Sequence, residues 1–177
     1  QVNEVVGVAG FVLPGDRVDV LLTRQIRGGG GEMGPASSAA FTDVVLRQVQ
    51  RRMAATAGLP VSHAEPLIVL RYAAGQEYRP HSDALPDSLV TPVERGGSGQ
   101  RVATVITYLN ASCTGGATVF PRLDLRVQPH AGNVLSFSNL DGEGRPDPDA
   151  VHAGDPVTAG LKWICTLWMR QGPHRPQ

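Results

Sequence analysis

From residue 66 onward the chain is a succession of short apolar runs, most of them closed off by glycine, proline, aspartate or asparagine. No run is long enough for a second extended helix, and short strands with turns between them build a sandwich or a barrel. The expected strands are Leu67–Tyr72, Tyr78–Asp83, Arg101–Leu109, Thr118–Phe120, Leu123–Val127, Asn133–Phe137, Ala150–His152 and Lys162–Arg170. The 21 glycines and 14 prolines suit such a turn-rich fold. With 177 residues, 41% of them hydrophobic, the chain can bury a core of its own.

Upstream, the pattern differs. Gly10-Phe11-Val12-Leu13, the turn Pro14-Gly15-Asp16 and Val18–Leu22 read as strand–turn–strand. Gly28–Gly31 reads as a flexible linker, since no Lys-Ser/Thr and no helix follow to cradle a phosphate. Thr42-Asp43 is expected to cap a packing helix, with Val45, Val49 and Met53 on its apolar face, and Gly58 and Pro60 end it. Residues 1–31 are therefore expected to form an atypical N-terminal segment and residues 32–177 the main domain. Leu85–Gln100 reads as a long polar loop.

Charge narrows the function classes. Sixteen acidic and sixteen basic residues balance, which gives no electrostatic case for nucleic acid or an anionic membrane as partner. No apolar run reaches the roughly 18 residues of a membrane span. Residues 1–23 lack the pattern of a secretory signal. Cys113 and Cys165 stand in no C-x-x-C pattern and are expected as free thiols in a reducing, cytoplasmic compartment.

The chemistry-bearing signal is His81-Ser82-Asp83. On a strand, residues i and i+2 project from one face, so one imidazole and one carboxylate can meet a single cation. His152 is the candidate third ligand, whereas His63, His130 and His174 read as surface or turn residues. Two histidines and one carboxylate leave coordination positions open, which suits non-haem iron(II). Lys162 opens an apolar strand, and a buried cation there needs an anionic partner. A dicarboxylate would supply one, with the Tyr72 hydroxyl as a second contact. The alternatives are a zinc hydrolase built on the same three ligands and a non-catalytic binding or assembly module.

Taken in order, these segments resemble the prolyl 4-hydroxylase-like branch of the 2-oxoglutarate/iron(II) dioxygenases. The resemblance runs through Glu65–Tyr72, Gly75–Asp83, Arg101–Asn110, Gly115–Pro121, Pro129–Phe137, His152–Val157 and Gly160–Trp168. It implies a mainly β fold with a supporting helix, the double-stranded β-helix of the jelly-roll and cupin type. It also implies His81, Asp83 and His152 as iron ligands, Lys162 and Tyr72 as contacts of 2-oxoglutarate, and Tyr108 and Thr118 in the same pocket. Tyr78 and Trp168 are expected near the substrate, and no catalytic residue is expected beyond the ligands. The implied activity is hydroxylation of a peptidyl-proline or small-molecule substrate, using iron(II), 2-oxoglutarate and dioxygen, with ascorbate as a candidate reductant. The first 60 residues depart from that family. There the Gly7–Thr23 stretch resembles Flp pilus assembly proteins of the SAF-like type, and the family's early motif is reduced to Pro35-Ala36-Ser37-Ser38. The oligomeric state is open.

Overall fold

The computed structural model describes Asp19–Leu22 and residues 37–174. Two facing sheets carry the fold. The larger contains β1 (Asp19–Leu22), β2 (Ile68–Ala73), β10 (Val157–Arg170), β4 (Arg101–Tyr108) and β8 (Val134–Ser138) in that order, with β5 (Cys113–Gly115) paired to the start of β10. The smaller runs β3 (Tyr78–His81), β9 (His152–Gly154), β6 (Thr118–Phe120) and β7 (Leu125–Val127). All of these pairings are antiparallel. Pro80 cannot donate to a ladder, and it is tolerated because β3 lies at a sheet edge.

Strand alternation divides the core in two. Along β10, Cys165, Leu167 and Met169 face outward and pack with Val105 of β4 against Met53 and Ala54 of α1 (Ser37–Thr56). Ile164 and Trp168 face the second sheet and pack with Ile68, Leu70, Tyr72, Ile106 and Tyr108. Because β10 is covered on both faces, its sequence reads as a continuous apolar run rather than an alternating one. Burying a side chain such as Leu167, fully enclosed here, stabilises the fold by about 2–3 kcal/mol.

The double-stranded β-helix expected from the sequence is present, with changes at several boundaries. The helix starts at Ser37, not Thr42. Val45 is 45% exposed, and the buried stripe is shifted to Leu46, Val49, Met53 and Ala54. Its end is as expected: Gly58 is left-handed at φ 68°, and the Leu59 and Gly58 amides donate to the Ala54 and Ala55 carbonyls. β3 stops at His81, so Asp83 lies in the following turn rather than on the strand. Pro148–Ala150 forms a single 3-10 turn, and the strand expected to end at His152 begins there instead. β7 is shortened because Pro121–Leu123 forms another such turn. β5 and the first five residues of β10 fall where glycine and proline suggested a gap.

Leu85–Gln100 is folded, with short 3-10 turns at Asp87–Leu89 and Val93–Arg95. Its ends are tied together by the buried Gln100 amide, which accepts from the Leu85 N–H (2.6 Å) and donates to the Leu85 carbonyl (2.8 Å). Among the expectations upstream, Asp19–Leu22 is a strand, in register with Ile68–Arg71 of β2. The Gly10–Leu13 run, the Pro14–Asp16 turn and the Gly28–Gly31 stretch lie outside the described residues, and no helix among those described is long and apolar enough to cross a membrane.

Candidate metal centre and co-substrate pocket

The cross-strand register of β3 and β9 sets His81 directly opposite His152. Asp83 reaches the same point from the turn after β3. His81 Nε2 lies 3.7 Å from Asp83 Oδ1, and His152 Nε2 lies 3.7 Å from Asp83 Oδ2. One ligand atom from each residue falls within 4.8 Å of the others, a spacing that could hold a metal ion. These are the three residues singled out by sequence. His63, His130 and His174 lie apart from them: the His63 ring donates to the Arg170 carbonyl, the His174 amide donates to Ser62, and His130 is exposed.

Both imidazoles are oriented from behind. His81 Nδ1 lies 2.8 Å from the Arg79 carbonyl and His152 Nδ1 lies 3.0 Å from the Ala150 carbonyl. A carbonyl only accepts, so each Nδ1 carries the proton, and each Nε2 presents a lone pair to the centre. The carboxylate is held as well. Thr104 Oγ1, fully buried on β4, donates to Asp83 Oδ2 at 2.7 Å and accepts from Asn139 Nδ2 at 3.0 Å. Burial by itself would raise the Asp83 pKa. His152, His81, the Thr104 hydroxyl and the Trp168 indole outweigh it and hold the group below its ordinary value, hence ionised.

The three side chains form one end of a cavity that opens to solvent, about 400 Å³ with that open solvent included. At the other end stands Lys162. With Ile164, Thr166 and Trp168 it makes the inward row of β10. The residue is 2% exposed, and no acidic partner is found among the described residues; the Tyr72 and Tyr108 ring centroids lie 5.0 and 5.9 Å from Nζ. Burial, opposed by the nearby Cys113, pulls Lys162 down to about 8. Gly116 makes room for the stem, since a Cβ there would meet Lys162 Cδ at 3.0 Å.

Tyr72 and Thr118 line the same cavity. Tyr108 donates to Thr118 Oγ1 at 2.8 Å. Tyr78 lines the mouth, its ring centroid 4.0 Å from that of His81. Trp168 also lines it, with the Arg101 guanidinium 3.8 Å from its ring centroid. Arg101 is itself clamped by two 2.7 Å hydrogen bonds to Glu65, which pairs with Arg170 too.

Sequence reading missed Thr104 and Asn139, and it missed Phe120 and Phe137, whose rings lie 5.7 and 4.8 Å from the His152 ring. The only local signal was a polar residue on the inward row of a buried strand and another directly after β8. Both cysteines are free, Cys113 half-buried and Cys165 buried.

The open-sided group of two imidazoles and a carboxylate suits iron(II), and the buried ammonium, without an acidic partner among the described residues, suits a dicarboxylate in the same cavity. Comparison with known proteins agrees. The chain is 34% identical to prolyl 4-hydroxylase 1 of Arabidopsis thaliana over 140 residues, 72% of this chain and 48% of that one. It is also 34% identical to prolyl 4-hydroxylase subunit alpha-1 of Homo sapiens over 131 residues, 74% of this chain and 24% of that one. The chain thus spans about half the length, or less, of the curated relatives it matches. The crystal structure of a viral collagen prolyl hydroxylase from Paramecium bursaria Chlorella virus-1, a 2OG complex, superposes with a TM-score of 0.56 at 27% identity, covering 78% of this chain and 76% of that one. Residues 1–59 match a different family, the Flp pilus assembly protein RcpC/CpaB. Over residues 67–170, which contain every residue of the centre and of the pocket, the match is to the 2OG-Fe(II) oxygenase superfamily, and the chain belongs to that family.

Proposed function

We propose that the chain is an iron(II)- and 2-oxoglutarate-dependent hydroxylase of the prolyl 4-hydroxylase type, acting on a proline within a peptide. The observation that carries this reading is one cavity with the His81–Asp83–His152 group at one end and, at the other, a buried ammonium with no acidic partner among the described residues. A zinc hydrolase on the same ligands would leave Lys162 without a task.

His81, Asp83 and His152 would hold the iron, and Lys162 would pair with the distal carboxylate of 2-oxoglutarate, with Tyr72 and Thr118 beside it. The chemistry that iron(II) and 2-oxoglutarate would supply, with dioxygen as oxidant, is oxidative decarboxylation coupled to hydroxylation: one oxygen atom goes to succinate, the other to a C–H bond of the substrate, and carbon dioxide is released. The chain's own part is placement. The carbonyls of Arg79 and Ala150 keep both Nδ1 atoms protonated, so that each Nε2 can act as a ligand. Ile106, Ile164 and Leu70 give the space between the two ends an apolar wall. Tyr78 and Trp168 line the cavity, where their aromatic surface suits an apolar pyrrolidine ring.

The relatives' names support the proline assignment, because each is a prolyl hydroxylase. The deciding experiment measures succinate release from 2-oxoglutarate by the purified chain with iron(II) and ascorbate, with and without a proline-rich peptide, and weighs the peptide afterwards. Iron-dependent succinate together with a peptide heavier by one oxygen is expected. Turnover with zinc, or no succinate under any condition, refutes the reading. Succinate without peptide hydroxylation refutes only the substrate.

A further inference from the structure

Two buried polar side chains have no counterpart in the role just described. Thr104 is fully enclosed and Asn139 is 1% exposed. Both are costly to bury unless their hydrogen bonds are complete. A hydroxyl has one proton to give. The 2.7 Å contact to Asp83 Oδ2 takes it, so the Asn139 carboxamide, whose nitrogen lies 3.0 Å and oxygen 3.2 Å from Thr104 Oγ1, must present its nitrogen as the donor. The direction of the chain is thereby set: Asn139 donates to Thr104, and Thr104 donates to Asp83.

The base of this relay is fixed by backbone. The Asn139 N–H donates to the Val102 carbonyl (2.9 Å), and the Asn139 carbonyl accepts from Asp147 N–H (2.9 Å). Asp147 caps the 3-10 turn Pro148–Ala150, and the Ala150 carbonyl orients His152. Asn139 thus stands where the support of the carboxylate and the support of the second histidine meet.

We infer that Asn139 and Thr104 are a positioning pair: they occupy Asp83 Oδ2 and so leave Oδ1, the oxygen nearer to His81, as the one presented to a metal. This inference rests on the reading of the cavity as a metal centre. Without the pair Oδ2 loses its donor and becomes available to the metal beside Oδ1, which changes the coordination as well as the affinity.

Cobalt(II) serves as a spectroscopic probe of the whole chain, with thermal melting of the metal-free protein measured in parallel. In the parent protein cobalt binding is expected to give a visible ligand-field spectrum. Thr104→Val should bind cobalt about 10–100-fold more weakly and with an altered spectrum, and Thr104→Ser should restore both to within a few-fold of the parent. Asn139→Ala should weaken binding in the parent background and add nothing in the Thr104→Val background. Equal affinity and spectrum in Thr104→Val and the parent overturn the inference. So does failure of Thr104→Ser to rescue, or full additivity of the two changes. Should Thr104→Val not fold, Asn139→Ala alone decides, unchanged affinity overturning the inference. A parent protein that binds no cobalt overturns the metal-centre reading along with it, whereas normal parental binding with unaffected variants overturns only the positioning pair.

Discussion

His81 and His152 occupy directly opposed positions on β3 and β9, with ring centroids 4.3 Å apart. One antiparallel pairing therefore brings together two residues remote in the chain, and Asp83 joins them from a turn whose backbone is independent of that ladder. The arrangement predicts unequal consequences for the three ligands. His81→Ala should reduce 2-oxoglutarate turnover to background and lower iron content with little effect on melting, because β3 is an edge strand. Asp83→Ala should do the same to turnover and iron but also lower the melting temperature, because it leaves the buried Thr104 hydroxyl without its acceptor. His152→Ala should also lower the melting temperature, since its buried ring packs against Phe137 and Phe120. Iron analysis and melting curves of the three variants check this.

Lys162 carries a cost in the absence of its partner. Its folded pKa, about 8, lies below the ordinary 10.5, so between these values the unfolded chain binds more protons than the folded one. Stability of the metal-free, 2-oxoglutarate-free protein should therefore rise as pH increases from about 8 to 10.5. Lys162→Met should abolish that rise and stabilise the protein at neutral pH by roughly 1–3 kcal/mol, while raising the 2-oxoglutarate requirement roughly 10–100-fold. Urea titrations across pH, set beside the KM for 2-oxoglutarate, separate the two effects.

Glu65 behaves oppositely. Burial would raise its pKa, but hydrogen bonds and charge from Arg101 and Arg170 hold it below 4.5. The folded pKa is depressed, so the stabilisation is present above 4.5 and lost as pH falls through the folded value. Glu65→Gln should destabilise the protein at pH 7 by about 2–4 kcal/mol, because the buried Arg101 and the half-buried Arg170 lose a shared counter-charge. It should also flatten the acid limb of the stability profile. Denaturant unfolding between pH 3 and 7 provides the check.

Gly116 joins backbone conformation to the pocket. Its φ is +68°, and a Cβ would meet Lys162 Cδ at 3.0 Å and Val157 Cγ2 at 3.1 Å. Gly116→Ala should cost about 1–3 kcal/mol from the strained φ and the crowding. It should raise the KM for 2-oxoglutarate while leaving iron content unchanged, because the displaced group is the Lys162 stem. An iron content that falls in step with activity would show that the change reaches the metal end as well.

Local pattern alone determined much of this protein. The H-x-D pair, the punctuated strands and Lys162 at the head of an apolar run were legible because they depend on residue type, short spacing and turn chemistry. The glycine that ends the helix was legible for the same reason. Tertiary structure decided what lies between those signals. β5 forms because β10 offers it a ladder, not because Cys113-Thr114-Gly115 favours a strand. Asp83 leaves its strand and still meets the histidines because Thr104, 21 residues away in sequence, holds its carboxylate, and Asn139, 35 residues beyond that hydroxyl, holds Thr104. Hydrogen bonds that span such separations leave no trace in local periodicity. They exist only once the sheets have closed and buried groups must find partners.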